Sequence, residues 1–174
     1  MMSSPEPITW PKFSIITPSF NQGQFIERAI RSVLEQDYPN IEYIIIDGGS
    51  TDNTVDIIKK YSDQITYWES ASDDGQPDAI NKGLEHATGE IFAFINSDDY
   101  YYPNAFRAAA RAFMQGDPDD PERQWVVGIG DHFDENGNRL FLWKPSPRWF
   151  VDRIMAVATN AVCQHACFWR HSLI

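Results

Sequence analysis

The stretch Ile91-Phe-Ala-Phe-Ile95, followed directly by Asn96-Ser97-Asp98-Asp99, decides how this sequence folds and where its chemistry lies. Its consecutive apolar residues lack the alternation of a half-exposed strand, so they predict a strand buried on both faces, as in a parallel sheet. The polar residues that follow would lie at the carboxyl edge of that sheet, where open α/β sheets bind ligands. Because adjacent carboxylates repel each other, a divalent cation on Asp98 and Asp99 is one explanation for them. An acidic turn before a helix that starts at Pro103 is the alternative.

Apolar runs alternate with helical patterns on both sides of this strand. Strands are predicted over 13–17, 41–46, 65–68 and 91–95, and helices over 25–34, 51–61, 78–87 and 103–114. Strands that alternate with helices predict right-handed crossovers and a parallel sheet covered on both faces. We therefore predict an α/β fold with a doubly wound, mostly parallel sheet flanked by helices.

The pattern changes after Gly116. Strands are predicted over 125–130, 139–143 and 166–169, with a hairpin turn of the Asn-Gly kind at 134–137 and a helix over 149–157. We predict a flexible lead-in over residues 1–12 and a single domain over 13–174.

Composition excludes several classes of protein. The chain has 25 acidic and 14 basic residues and a formal charge of −11, which argues against a nucleic-acid partner or an anionic membrane surface. An anionic substrate would therefore need a local cation. The two cysteines, Cys163 and Cys167, are too few for a disulfide scaffold. The first residues lack a basic region followed by an apolar one, and no run of 18 apolar residues occurs, so we expect neither a leader nor a transmembrane segment. We expect a cytoplasmic protein that reaches a membrane only through partners.

Three polar clusters each follow a predicted strand: Thr17-Pro-Ser-Phe-Asn21, Asp47-Gly-Gly-Ser-Thr-Asp52 and Asn96-Ser-Asp-Asp99. Parallel strands bring such clusters to one edge of the sheet, where they could share a ligand. Asp47 could accept hydrogen bonds from a base or a ribose, or its segment could be a simple turn. Phe20 could lie against a base or belong to the core.

Several other polar residues each allow a structural and a functional interpretation. Asp74, Gln76 and Asp78 could cap the helix that begins near them or face the ligand. Asp131 could be a turn residue, or it could contact an acceptor or act as a base. His165 could bind a metal, but structural zinc needs four ligands and no second cluster exists, so a core strand or a pocket wall is favoured.

The three clusters, together with Asp74-Gly-Gln-Pro-Asp-Ala-Ile-Asn-Lys-Gly83 and Thr88-Gly-Glu90, resemble in order and spacing the family 2 glycosyltransferases of GT-A fold. The resemblance covers residues 13–115 and is weaker at Gly130-Asp131 and Gln164-His-Ala-Cys-Phe-Trp-Arg170. It implies an inverting enzyme that moves a sugar from a nucleoside diphosphate, with uridine as the expected nucleoside. The acceptor would be a hydroxyl of a glycan, a lipid or another molecule.

The resemblance also implies roles for particular residues. Nucleotide or substrate contacts are implied for Thr17, Pro18, Phe20, Asp47, Gln76, Asp78, Asn81 and Asp98. Asp98 and Asp99 would hold Mg²⁺ or Mn²⁺, which would neutralise charge on the departing diphosphate. Acceptor contacts are expected at Asp131, Gln164 and His165, with Asp131 as the candidate catalytic base.

The sequence departs from the family pattern at three points. Many members have aspartate where Asn96 stands and arginine where Ile80 stands, so one metal ligand and one diphosphate contact differ here. The usual carboxylate base lies beyond the Phe-Trp-Arg-like segment, and this chain stops at Ile174. We therefore expect the N-terminal part of a longer enzyme, with a donor-binding half at 13–115 and part of an acceptor half at 125–174.

Two other functions compete with the transferase. One is a nucleotide-sugar-binding fragment without turnover, which the missing base favours. The other is a nucleotidyltransferase, but the glycine-rich, arginine-containing loop that such enzymes carry after the first strand is absent. Dehydrogenase and P-loop functions are disfavoured because their glycine motifs follow none of the predicted strands.

Overall fold

A computed structural model describes residues 9–115, 124–134, 136–144 and 164–173 of the 174-residue chain. The strands are β1 (Phe13–Ser19), β2 (Ile41–Asp47), β3 (Tyr67–Ser70), β4 (Ile91–Phe94), β5 (Trp125–Val127), β6 (Gly130–Phe133), β7 (Arg139–Trp143) and β8 (Cys167–Arg170). The helices are α1 (Ile26–Leu34), α2 (Thr54–Lys60), α3 (Gln76–His86) and α4 (Ala105–Met114), and short 3₁₀ turns cover Gln164–Ala166 and His171–Leu173. The helix predicted over 149–157 lies outside the described residues.

Six of the strands form one sheet in the order β3-β2-β1-β4-β8-β5. The pairs β3–β2, β2–β1 and β1–β4 are parallel, whereas β8 runs antiparallel to both β4 and β5. Strands β6 and β7 form a separate antiparallel hairpin. The predicted α/β fold with a mostly parallel sheet and flanking helices is confirmed, and β8 is its antiparallel exception.

The core explains why the apolar runs form these strands. Ile91, Phe92 and Ala93 are at most 1% exposed, as expected for a strand covered on both faces. On one face of the sheet, the ring of Phe13 stacks on Phe106 of α4 and meets Phe168 of β8 edge to face, with centroids 5.4 and 5.7 Å apart. These aromatic contacts join β8, from the far end of the chain, to the first strand.

Helix α2 begins later than the predicted Thr51. The carboxylate of Asp52 accepts hydrogen bonds from the backbone N–H of Thr54 at 3.0 Å and of Gly23 at 2.9 Å. The side chain of Asn21 accepts another from the N–H of Thr51 at 2.9 Å. Because these bonds tie residues 51–53 to the loop after β1, the helix starts only at Thr54.

Several other boundaries also differ from the predictions. Helix α4 starts two residues after Pro103, because Asn104 adopts a left-handed conformation with φ of 68°. Strand β3 is shifted from 65–68 to Tyr67–Ser70, which aligns Ser70 with Asp47. The single strand predicted over 125–130 is wrong, because β5 pairs with β8 while β6 turns away to pair with β7.

Residues just before β1 contact the domain. The Trp10 ring meets the Tyr38 ring edge to face at 5.6 Å, and Lys12 Nζ lies 2.6 Å from a carboxylate oxygen of Glu42. None of the helices in the described ranges has the length and apolar character that crossing a membrane requires.

Candidate functional site

The three polar clusters meet at the carboxyl edge of β1, β2 and β4, around a cavity of about 540 Å³ that we call the edge cavity. The loop into α3 closes one side of it. Its walls are formed by Pro18, Ser19, Phe20, Gln22, Gly48, Ser72, Asp73, Gly75, Gln76, Ala79, Asn96, Ser97 and Asp98. Parallel pairing therefore brings together the clusters, as the sequence predicts.

In the first cluster, which lies at the end of β1, Thr17 points into the domain, whereas Pro18 and Phe20 face the edge cavity. Thr17 is fully buried, and its hydroxyl lies 3.0 Å from the Tyr43 hydroxyl inside the domain, so it supports the edge from below. Pro18 and Phe20 line the edge cavity, and Phe20 remains 58% exposed. An exposed aromatic ring on a ligand-sized cavity offers a flat surface for a base.

Asp47 organises the second cluster. It is fully buried, and its Oδ2 accepts hydrogen bonds from the backbone N–H of Ser50 at 2.9 Å and from the Ser70 hydroxyl at 2.6 Å. Its Oδ1 accepts a further bond from the Ser50 hydroxyl. The next residue, Gly48, lines the cavity, where an added Cβ would lie 3.0 Å from Asp73. The carboxylate thus holds the loop that forms this wall.

The acidic motif after β4 has one exposed and one half-buried carboxylate. Asp98 is exposed on the edge cavity. Asp99 Oδ2 lies 3.2 Å from Asn96 Nδ2, which donates to it, and 3.6 Å from His165 Nδ1. Burial raises the pKa of Asp99; His165 and the Asn96 bond oppose this rise, and the charge of Asp98 adds to it.

This donor set fits a divalent cation. Two adjacent carboxylates, one half-buried, are hard oxygen ligands whose mutual repulsion a cation would relieve. Within the described ranges, no group of three or more His, Cys, Asp or Glu side chains comes close enough to hold a metal by itself. Such a partial shell suits Mg²⁺ or Mn²⁺ when a substrate's phosphates and water complete the coordination.

Helix α3 carries three of the implied contacts, and only one reaches the edge cavity. Gln76 lines it and donates through Nε2 to Asn96 Oδ1 at 2.6 Å. Asp78 pairs with Lys82 at 2.9 Å on the same helix and accepts a bond from the backbone N–H of Asp74. Asn81 is exposed and does not line the cavity.

Asp131 lies in β6, so its interpretation as a turn residue is wrong. Its carboxylate lies 2.5 Å from Nε of Arg139 and accepts a hydrogen bond from the Tyr102 hydroxyl at 3.1 Å. Asp131 and His165 line a second cavity, which agrees with the pocket-wall prediction for His165. His165 lies in a 3₁₀ turn, so the core-strand alternative is wrong. Gln164 begins the 3₁₀ turn that carries His165.

Several residues that line the edge cavity were given no role from the sequence, and Ser19 and Asp73 are the most informative of them. Ser19 is 6% exposed, and its hydroxyl has no hydrogen-bond partner in the described part of the chain. Its position between Pro18 and Phe20 was the available signal. Asp73 lines the edge cavity, whereas its neighbour Asp74, the residue singled out from the sequence, does not.

Comparison with known proteins finds relatives that are named glycosyltransferases. An uncharacterized glycosyltransferase of Rickettsia typhi is 32% identical over 145 residues, which are 83% of this chain and 44% of that protein. An uncharacterized glycosyltransferase of Nostoc is 35% identical over 126 residues, 71% of this chain and 37% of that protein. The chain thus spans less than half the length of these relatives.

Two solved structures are similar in fold. S. aureus TarS 1-349 in complex with UDP-GlcNAc has a TM-score of 0.54 and 32% identity, over 60% of this chain and 31% of that one. The mannosyltransferase PcManGT from Pyrobaculum calidifontis, in complex with GDP-Man and Mn²⁺, has a TM-score of 0.66 and 23% identity, over 98% of this chain and 47% of that one. Both share the GT-A arrangement of strands and helices.

The sequence model of Glycosyl transferase family 2 matches residues 14–172, which include all three clusters, helix α3 and β8. The chain therefore belongs to Glycosyl transferase family 2.

Proposed function

We propose that this chain binds a nucleoside diphosphate sugar in the edge cavity and transfers the sugar, with inversion, to an acceptor hydroxyl in a metal-dependent reaction. The residues from 13 to 115 would form the donor half and those from 125 to 174 part of the acceptor half. The enzyme would act in the cytoplasm, and partners would bring it to a membrane where its acceptor requires one.

One observation carries the proposal: the edge cavity is lined by the carboxylates of Asp73 and Asp98, and none of its described lining residues is Lys or Arg. A diphosphate would meet net negative charge there. Since the family's common arginine is replaced by Ile80, a cation has to offset this repulsion. The adjacent Asp98 and Asp99 are the groups suited to hold it.

Each wall of the cavity then has a role. Pro18 and Phe20 would contact the base, and Thr17 would support them from the core. Asp47 does not line the cavity, so its carboxylate would have to exchange a bond from Ser50 or Ser70 to reach the base or ribose. Asp98 would contact the ribose or the metal, and Asp99 would bind the metal. Gln76, Asp78 and Asn81 remain proposed contacts toward the diphosphate and sugar, of which Gln76 lies on the cavity.

The reaction balances as a single displacement. The acceptor oxygen forms a bond to the anomeric carbon while the bond from that carbon to the diphosphate oxygen breaks. The electron pair leaves with the diphosphate, and the acceptor proton passes to a base. When bound, the divalent ion supplies positive charge for the leaving diphosphate. Attack from the opposite face inverts the anomeric centre.

Asp131 is the proposed base within this chain. Its carboxylate is engaged by Arg139 and Tyr102, so it would have to exchange one of these partners for the acceptor. That engagement favours the second candidate, a donor-binding chain whose base comes from elsewhere in a longer protein. Both candidates require the same donor site.

Calorimetric titration with UDP, with and without Mn²⁺, tests the donor site. We expect binding that Mn²⁺ strengthens at least tenfold, which corresponds to about 1.4 kcal/mol. GDP and thymidine diphosphate in parallel identify the base. Absence of binding by all three diphosphates in the presence of Mn²⁺ would refute the proposal, while binding without sugar transfer would select the second candidate.

A further inference from the structure

The second cavity, which we call the α4 cavity, lies next to the acidic motif. It has a volume of about 310 Å³, at the lower end of the range for small-ligand sites. Tyr100, Tyr101 and Tyr102, which directly follow Asp99, form part of its wall. His165 lines it as well, and its Nδ1 lies 3.6 Å from Asp99 Oδ2. A molecule in this cavity would therefore reach the acidic motif from a side that the edge cavity does not occupy.

The lining of the α4 cavity is mostly apolar. Helix α4 contributes Ala105, Ala108 and Ala109, whose small side chains leave the space open. The opposite wall is made of Val126, Gly128, Ile129, Gly130, Ala166 and Phe168. The ionisable side chains on it, besides the tyrosines, are Asp131 and His165. A sugar ring, which carries hydroxyls all round, would leave most of them without hydrogen-bond partners here.

Exposed apolar side chains continue this surface outward. Ile129 and Tyr102, both on the cavity, are 58% and 48% exposed. On the adjoining hairpin, the partly exposed Phe133 ring stacks on Tyr100 with centroids 6.5 Å apart. Exposed apolar side chains at the mouth of an apolar cavity are typical of a site of interaction.

From these observations we propose that the acceptor is an amphiphile. Its hydroxyl would lie by His165 and Asp131, at the edge of the acidic motif, and its alkyl chain would occupy the α4 cavity and continue over Ile129. This inference rests on the proposed function, because the transfer requires the reacting hydroxyl to lie near the donor's diphosphate. It narrows the acceptor from any hydroxyl compound to one with an apolar chain.

A homologous series of primary alcohols from ethanol to octanol tests the cavity, since each member is one hydroxyl on a chain of known length. Binding is followed by NMR shifts of the backbone amides of Ala109 and Ile129, with Gly48 in the edge cavity as an internal reference. We expect each added methylene to tighten binding by up to about fourfold until the cavity is full, after which the gain levels off.

Gly128→Phe provides the blocking variant. A Cβ at this position makes only ordinary contacts, 3.5 Å from Ala166, and because Gly128 lines the cavity the ring of phenylalanine should occupy part of it. In this variant, the increase in affinity with each added methylene should stop at a shorter alcohol than in the unmodified chain. Ala108→Phe fills the cavity from the exposed side of α4 and serves if the first variant unfolds. Gln64→Phe, at an exposed position outside both cavities, is the matched control and should bind like the unmodified chain.

The outcomes separate this inference from the proposed function. If the affinity for the alcohols does not depend on their chain length, or if the blocking variants leave it unchanged, the proposal of an amphiphilic acceptor is overturned. A cavity filled by another part of the protein gives the first of these results. Titration of the same samples with UDP and Mn²⁺ reports on the donor site. If UDP does not bind but alcohol affinity still rises with chain length, the α4 cavity is an apolar binding site without an acceptor role.

Discussion

Asn96 donates a hydrogen bond of 3.2 Å from Nδ2 to Oδ2 of Asp99, while its own Oδ1 accepts one of 2.6 Å from Gln76. An amide can do both because it carries a donor and an acceptor, whereas a carboxylate offers only acceptors. The residue at this position thus links helix α3 to the acidic motif and keeps one negative charge out of it.

Replacing Asn96 by Asp should increase the metal dependence of nucleotide binding. The added charge attracts a divalent cation but repels an unaccompanied diphosphate, so UDP affinity should fall without Mn²⁺ and the ratio of affinities with and without Mn²⁺ should rise about tenfold. Calorimetry on both proteins measures this ratio. Asn96→Ala removes the bond without adding charge, and an equal ratio in both variants would contradict the electrostatic explanation.

Asp99→Asn should weaken Mn²⁺-dependent UDP binding at least tenfold and change the free energy of unfolding much less. The amide keeps the size of the side chain but removes the charge that a hard cation needs. Titration with Mn²⁺ and urea unfolding give the two quantities. Asp63→Asn, at an exposed position away from the cavity, should change neither. Unchanged Mn²⁺ dependence in the Asp99 variant would exclude this residue as a ligand.

Asp47→Ala should weaken uridine binding even without metal and also destabilise the fold by about 3 kcal/mol. The stability loss follows from three hydrogen bonds that the buried carboxylate accepts from Ser50 and Ser70. Ser70→Ala removes one of these bonds and keeps the carboxylate, so it separates loop support from direct contact. If uridine binds the Asp47 variant with its original affinity, Asp47 does not belong to the base pocket.

Glu42→Gln should destabilise the domain by about 2–3 kcal/mol at neutral pH. Burial alone would raise the pKa of Glu42, but hydrogen bonds from Lys12, Ser14 and Thr88 outweigh it and lower the pKa to about 2. Because the folded-state pKa is below the ordinary 4.5, the stabilisation is complete above pH 4.5 and is lost as the pH falls toward 2.

Urea unfolding of both proteins between pH 2 and 7 measures this difference. The stability gap between them should shrink through the window below pH 4.5. A gap that stays constant across this range would mean that the charge of Glu42 contributes nothing. Glu85→Gln, at an exposed position of α3, serves as the control.

Gly83→Ala should destabilise the domain by about 1–3 kcal/mol, although alanine is the better helix former. An added Cβ on α3 would lie 2.6 Å from Cγ2 of Ile16, a buried residue of β1, so one of the two would have to shift. Thermal unfolding gives the difference. Glu85→Ala on the exposed side of the same helix should be neutral or slightly stabilising, and equal behaviour of the two variants would show that the close packing is absent.

The sequence pattern predicted the parallel part of the fold because each of its strands is marked by neighbouring residues. Continuous apolar runs such as Ile91–Ile95 define buried strands, and the polar residues after them mark the carboxyl edge. Long-range pairing lies outside such patterns. The sequence around Phe168 predicts a strand, but its composition does not indicate that this strand pairs between β4 and β5.

The misread run at 125–130 has a similar cause. Its apolar residues are continuous, but the N–H of Gly128 donates to the carbonyl of Ala166 at 2.7 Å, and the chain then leaves the sheet. For the candidate site, residue types singled out Phe20 and Asp98, which line the edge cavity, whereas Ser19 and Asp73 needed coordinates. Only packing decides which of several neighbouring polar side chains faces a cavity.

The insertion of β8 beside β4 has a consequence for synthesis of the chain. The first 115 residues complete four parallel strands, yet the outer edge of β4 finds its partner only when residues 167–170 leave the ribosome. Until then an apolar strand presents open backbone groups, the usual template for pairing with a foreign chain. A nascent protein of this sequence should therefore depend on chaperones late in translation, and a chain cut before residue 167 should aggregate even though it holds every residue of the edge cavity.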